Sequence, residues 1–270
     1  MDTVALHRNV EDIVGQYEGL VSADAAERQR TEGELLFAGL DELMGKYEDD
    51  LGINKRDRRD ETFERLNLPA LTPYQISSFL EATSRYEAEI NYNYITSLFL
   101  THLIRESYNA GHNGFVLNIY KPLNQLCRKL KGKEGDPIEI TINGDLGGFF
   151  AEDARDISVK AGDIGIYCAV EGRRVSIEAR NVGGDCLEKA QHCTVKAESI
   201  GVYCSMVGKH NSVTAATIGQ LCGQFASNSV FRVSDKASIA GLKKYVQRWE
   251  GNRIYFIAPD GKERRVYRWI

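Results

Sequence analysis

The chain has 270 residues, 43% of them hydrophobic and 27% charged, with a formal net charge of −4. That composition belongs to a folded globular protein of one large or two ordinary domains and excludes a disordered or fibrous chain. No run approaches the roughly 18 unbroken apolar residues of a membrane span, and Met1 to Ala5 show no basic stretch leading into an apolar one, so no membrane association and a cytoplasmic protein are expected.

Residues 1–135 read as a mainly helical domain. Leu6, Val10, Ile13, Tyr17 and Leu20 mark one amphipathic helix, and Leu36, Leu40, Leu43, Met44 and Tyr47 a second. The charged stretch 54–62 reads as an exposed connection. At Thr72, a capping box with Gln75 and a proline at the first helical position open a third helix. Its apolar stripe of Phe79, Tyr86, Ile90, Tyr94 and Leu98 predicts a continuous rod to about Asn109, roughly 55 Å long. A rod of that length outreaches the solenoid and is expected to pack on its neighbouring helices or on a second copy of the chain. Phe115, Leu117 and Ile119 predict a short strand, and 122–130 a short helix.

From 136 to 240 the sequence repeats. Cys168, Cys186, Cys204 and Cys222 recur at one constant spacing, and Gly147, Gly165, Gly183, Gly201 and Gly219 keep the same one. Cut at 139, the segment falls into rungs of 18, which identifies a stacked-repeat fold. Inward columns read Thr141, Val159, Ile177, Val195, Val213, Phe231 at the third place and Leu146, Ile164, Val182, Ile200, Ile218 at the eighth. The fifth place reads Asn143, Ala161, Ala179, Ala197, Ala215, Val233, and the twelfth Phe150 followed by the four cysteines. Alternation within a rung marks strands with one buried face, and stacking coils about 4.8 Å apart buries it. Five to six rungs make a β-solenoid about 26 Å tall. The cysteines then serve as small buried hydrophobes with free thiols.

Residues 241–270 read as a capping helix and β-hairpin, with Arg253–Ala258 and Lys262–Trp269 around the turn Pro259-Asp260-Gly261. The fold class is therefore α+β: a helical N-terminal region, a β-solenoid of five to six 18-residue rungs, and a C-terminal cap. Rung length and core composition over roughly 139–240 resemble β-helical scaffold proteins such as the bactofilin-like polymer-forming domains. That resemblance implies a structural scaffold. A cap at each end argues against unlimited end-to-end polymerisation. The 18-residue coil is also similar to that of left-handed hexapeptide acyltransferases, but those place an aliphatic-plus-small pair on all three sides. Here the pair occurs on one side only, at 146–147 and its equivalents.

Catalytic and cofactor motifs are absent, so no cofactor is expected. His192 and His210 share a rung position and form the one candidate metal pair, in a column with Asp156, Arg174 and Asn228. A site needs three or four ligands, and Arg174 opposes a cation, so a polar ladder is expected. The eleventh place should point outward yet reads Phe149, Tyr167, Asp185, Tyr203 and Leu221. A helix from 1–135 lying along this stripe is the simplest expectation, with a partner protein or second subunit as the alternative. The C-terminal segment holds eight Lys or Arg against three acidic residues. Lys243, Lys244, Arg248, Arg253, Arg264, Arg265 and Arg268 interleave there with aromatics, a composition suited to nucleic acid. Three functional expectations follow: a non-catalytic, oligomeric scaffold or interaction module; a nucleic-acid-binding protein; or an enzyme with a cleft between helices and solenoid wall.

Overall fold

The computed structural model describes residues 37–52, 67–246 and 248–268. The first amphipathic helix and the 54–62 connection lie outside the described residues, as do Leu36 and Trp269. Four α-helices are described: α1 (Leu40–Gly52), α2 (Pro73–Thr83), α3 (Tyr92–Asn109) and α4 (Lys236–Val246). One nine-stranded sheet runs in chain order from β1 (Gly114–Asn118) through β2 (Ile138–Asn143), β3 (Arg155–Ile164), β4 (Arg173–Val182), β5 (Thr194–Ile200), β6 (Ser212–Ile218), β7 (Val230–Val233) and β8 (Arg253–Ile257) to β9 (Glu263–Arg268). All neighbours are parallel until β8 and β9, which form an antiparallel hairpin. Parallel neighbours in chain order, with partners such as Ile157 and Val175 one period apart, are the signature of a solenoid of about five turns between β2 and β7.

The repeat columns pack as the period requires. Val159, Ile177, Val195, Val213 and Phe231 are buried, as are Leu146, Ile164, Val182, Ile200 and Ile218. The fifth place is buried at Ala215 and Val233 and half-buried at Ala161, Ala179 and Ala197. Phe150 and the four cysteines of its column are at most 1% exposed. The Cys204 amide donates to Cys222 Sγ at 3.2 Å, which links adjacent rungs of that column. All six cysteines are free and buried.

The rung of β2 departs from the strict 18-residue cut. Ile140 pairs with Val159 and Ile138 with Ile157, so β2 is shifted by one residue. Ile138, Ile140 and Ile142 point inward, while Thr141 and Asn143, assigned to the core columns, are exposed. One residue of slip turns every side chain over, and burying three isoleucines decides the choice. The extra residue is absorbed near Gly144, at φ 137°.

Two further expectations are corrected. The stretch 122–130 is not a helix; it is the turn side of an additional rung that begins with β1. That rung is longer than the period, since Gly114 stands opposite Glu139. Leu123, Leu126 and Leu130 of the same rung are buried in the common core. The single rod from Thr72 to Asn109 is also broken. The capping box is present, with Gln75 N donating to Thr72 Oγ1 at 3.3 Å and Thr72 N to Gln75 Oε1 at 2.9 Å. The helix nevertheless stops at Thr83, continues as one 3-10 turn (Ser84–Tyr86) and restarts at Tyr92.

The chain folds back there because a hairpin buries what a rod would spread. Phe79 and Phe99 would lie about 30 Å apart on one helix; their ring centroids are 6.0 Å apart, and Tyr47 of α1 stands edge-on to both at 5.7 and 5.4 Å. Burying three large rings, about 1.5–3 kcal/mol each, outweighs a few helical hydrogen bonds at about 1 kcal/mol each. Ile90, assigned to the apolar stripe, sits at the bend and is 91% exposed.

The helices α2 and α3 cover the first-rung end of the solenoid core. Ser77 Oγ of α2 donates to the Val116 carbonyl of β1, Thr101 Oγ1 of α3 accepts from Cys127 N, and the Tyr108 hydroxyl donates to the Asp136 carbonyl. At the opposite end, α4 replaces the turn side of the last coil and buries Leu242 and Val246. Asp235 caps α4, its carboxylate accepting from Ser238 N at 2.7 Å.

Candidate interaction surface

Each rung is shaped on its turn side by residues in the left-handed region. Places eleven, thirteen, fifteen and eighteen have φ near +50 to +60° in rung after rung, for example Tyr167, Ala169, Glu171 and Arg174, then Asp185, Leu187, Lys189 and His192. The amides still form a ladder, as when Tyr167 N donates to the Gly184 carbonyl and Ala169 N to that of Phe150. The alternation sends places twelve and thirteen both inward, with Ala169, Leu187 and Ser205 fully buried beside the cysteines. Place eleven points out.

Immediately before this turn the wall is flat. A Cβ on Gly165, Gly183, Gly201 or Gly219 would lie 2.6–2.7 Å from backbone atoms of the preceding rung, so only glycine fits. At the tenth place the column reads Gly148, Ile166, Gly184, Val202 and Gln220. Ile166 is 51% and Val202 43% exposed, each rising from a floor of glycine. Beside them Phe149, 40% exposed, stacks on Tyr167 at 4.8 Å and 15°. Tyr203 and Leu221 continue the stripe half-buried, and Asp185 is its one charge.

Among the described residues no helix lies along this wall; the first amphipathic helix, Leu6 to Leu20, is outside them. α2 and α3 close the solenoid end instead, because the open first rung offers Leu117, Leu123, Leu126 and Leu130, a deeper apolar surface than the wall. Strict alternation through Ile164, Ile166 and Cys168 predicts an inward Ile166, yet it is exposed; the signal in its column is a glycine at every second rung.

His192 and His210 stack with centroids 4.7 Å apart and planes 3° off parallel, both exposed. Arg174, next in the column, makes a two-pronged pair with Asp156 at 2.6 and 2.9 Å. Among the described residues no three His, Cys, Asp or Glu side chains converge as metal ligands. The column is a polar ladder of the kind seen on the adjoining face, where Arg180 grips Asp163 at 2.7 and 2.8 Å and holds its carboxyl down at about 2.

Lys243 and Lys244 stand in the last turn of α4, Arg248 in the following turn, Arg253 on β8, and Arg264 and Arg265 on β9. Arg268 ends β9, and its side chain lies outside the described residues. The exposed cations are thus spread over three elements. Arg232 and Arg265 both lie over the Tyr255 ring, at 5.6 and 5.9 Å. Trp249 leans on Phe225 at 5.1 Å.

A pocket of about 100 Å³ opens between α3 and the turn of the first rung, lined by residues including Leu98, His102, Arg105, Arg128 and Lys129. His102 is 6% exposed, and its Nδ1 lies 2.6 Å from Arg105 Nη2. A guanidinium only donates, so Nδ1 accepts and the ring is neutral with its hydrogen on Nε2. Burial, reinforced by Arg105, pushes the His102 pKa down to about 4.

No family model matches the chain, and neither curated proteins nor solved structures supply a similar one. Among the described residues no helix is long and apolar enough to cross a membrane.

Proposed function

We propose that this protein is a non-catalytic scaffold whose β-solenoid wall is a docking face for protein. One observation carries the reading: Ile166 and Val202 of the tenth column and Phe149 of the eleventh stand exposed on the turn side of the rungs, beside half-buried Tyr167, Tyr203 and Leu221. Contiguous apolar surface rimmed by polar side chains marks interaction sites. The reading includes a cytoplasmic location, which the six free cysteines support. The test is the double variant Ile166→Lys/Val202→Lys. Both places are exposed, so the melting temperature should hold while association with self or a co-purifying protein is lost. A wild-type chain that sediments as a monomer and retains no partner would overturn the proposal.

A second reading, nucleic-acid binding through the C-terminal end, draws on the exposed Arg253, Arg264 and Arg265 beside half-buried Tyr255. Charge reversal at Arg264 and Arg265 should then abolish salt-dependent retention on single-stranded RNA or DNA; no retention at low salt removes this reading.

A further inference from the structure

Granting that the wall is a docking face, we propose that its occupant is a second copy of this chain, packed antiparallel about a twofold axis. The axis lies between the two walls, runs along the course of the rungs at their tenth and eleventh places, just past the strand ends, and sits level with the gap between the rungs of Ile166 and Gly184. A rotation about such an axis reverses the order of rungs and leaves each column facing itself.

The tenth-place relief fits this operation. Gly148, Ile166, Gly184 and Val202 occupy consecutive rungs, so low and high places alternate about every 4.8 Å. Each aliphatic leans toward the glycine before it: Ile166 Cγ1 stands 3.6 Å from where a Gly148 Cβ would be and Val202 Cγ2 3.3 Å from a Gly184 Cβ. The rotation sets Ile166 opposite Gly184 of the other copy and Val202 opposite Gly148 of the other copy. Each knob meets a hole, and each contact is made twice, as an isologous interface requires. Moving the axis by one rung in either direction leaves one of the two aliphatic side chains without a glycine to enter. The flanking rungs agree. Asn124, which holds the tenth place in the longer first rung and accepts from Gly148 N at 2.9 Å, faces Gln220, amide to amide.

The eleventh column is self-complementary about the same axis. Phe149 meets Tyr203 of the other copy, ring to ring. Tyr167 meets Asp185, the stripe's single charge, which gains a phenol donor in place of water. A foreign partner would have no reason to match an alternation of glycine and branched aliphatic sustained over four rungs; a second copy carries the same alternation.

The experiment is an exchange of knob and hole in the full chain, read by sedimentation equilibrium. Wild type should dimerise, and Ile166→Gly, which sets hole against hole, should weaken the dimer at least tenfold. Gly184→Val, which sets knob against knob, should do the same. The double variant Ile166→Gly/Gly184→Val restores the fit and should recover dimerisation. The native thiols are buried, so a spin label can be placed on Gln220→Cys alone. It should report an intermolecular distance of about 25–30 Å for antiparallel copies, five rungs apart. Circular dichroism checks that each chain is folded. Should Gly184→Val unfold, Ile166→Gly and the label distance decide the matter. A monomeric wild type that binds a different protein through Ile166 and Val202 overturns the second copy and keeps the docking face. A monomer that binds nothing there overturns both. A dimer whose labels lie within three rung spacings of each other, or one indifferent to Ile166→Gly, rejects this geometry.

Discussion

Val207 is a β-branched residue held at φ 58° and 41% exposed. The left-handed region costs an ordinary L-residue about 1–2 kcal/mol, and asparagine less. Val207→Asn should therefore stabilise the protein by about 1 kcal/mol, seen as a higher urea midpoint with an unchanged slope. A lower midpoint would mean that the valine contributes packing the exposure does not suggest. His102 makes a second residue-scale test. Its ring is held neutral in the folded chain, so below the ordinary value of 6.5 the unfolded chain takes up the proton first. Stability should be fully present above pH 6.5, fall as the pH drops to about 4, and lose no more below that on this account. Urea midpoints across that window should flatten in His102→Gln; an identical profile in the variant would show that another group is responsible. Neither residue was legible beforehand. A left-handed backbone at non-glycine positions leaves no mark in composition, and His102 becomes special only where α3 meets the first rung.

The rung is the element on which the fold is built, and its glycine column sets the tolerance. In Gly201→Ala the new methyl would sit 2.6 Å from the Gly184 nitrogen. The rungs must part there, and overpacking of this kind costs about 1–3 kcal/mol, to be measured by urea unfolding. The cysteine column predicts chemistry as well: a water-soluble thiol reagent should modify none of the six in the folded protein and all of them in denaturant, since each is buried. Fast labelling of any one in the native state would contradict the column. The columns were readable because a constant period returns the chain to the same place. The break between α2 and α3 was not, because no glycine or proline marks it. Phe79 and Phe99 fold it back through a contact between residues far apart in sequence. The slip of β2 was readable in principle: Ile138, Ile140 and Ile142 alternate strictly, and the fixed count of 18 hid them.

At the scale of the whole molecule, the compact unit from Leu43 to Ile270 is a stack in which each coil touches its neighbours, with unequal ends. β1 is covered by α2, whereas β9 is the last strand of the sheet and carries exposed Glu263, Arg264 and Arg265, charges that discourage another strand from adding. Stability in such a stack is a sum of neighbour terms, so amide exchange should be slowest in β3 to β6 and fastest in β9. Uniform protection from β2 to β9 would instead indicate a single cooperative unit. The period, the buried columns and the outward stripe were determined by sequence alone, because a periodic return is a local, repeated fact that needs no distant partner. Where the described helices pack, how the first rung lengthens, and how far Ile166 and Val202 stand out were decided by the tertiary structure. Those outcomes depend on which of several apolar surfaces offers the deepest burial, a comparison between parts of the chain that no single stretch of sequence contains.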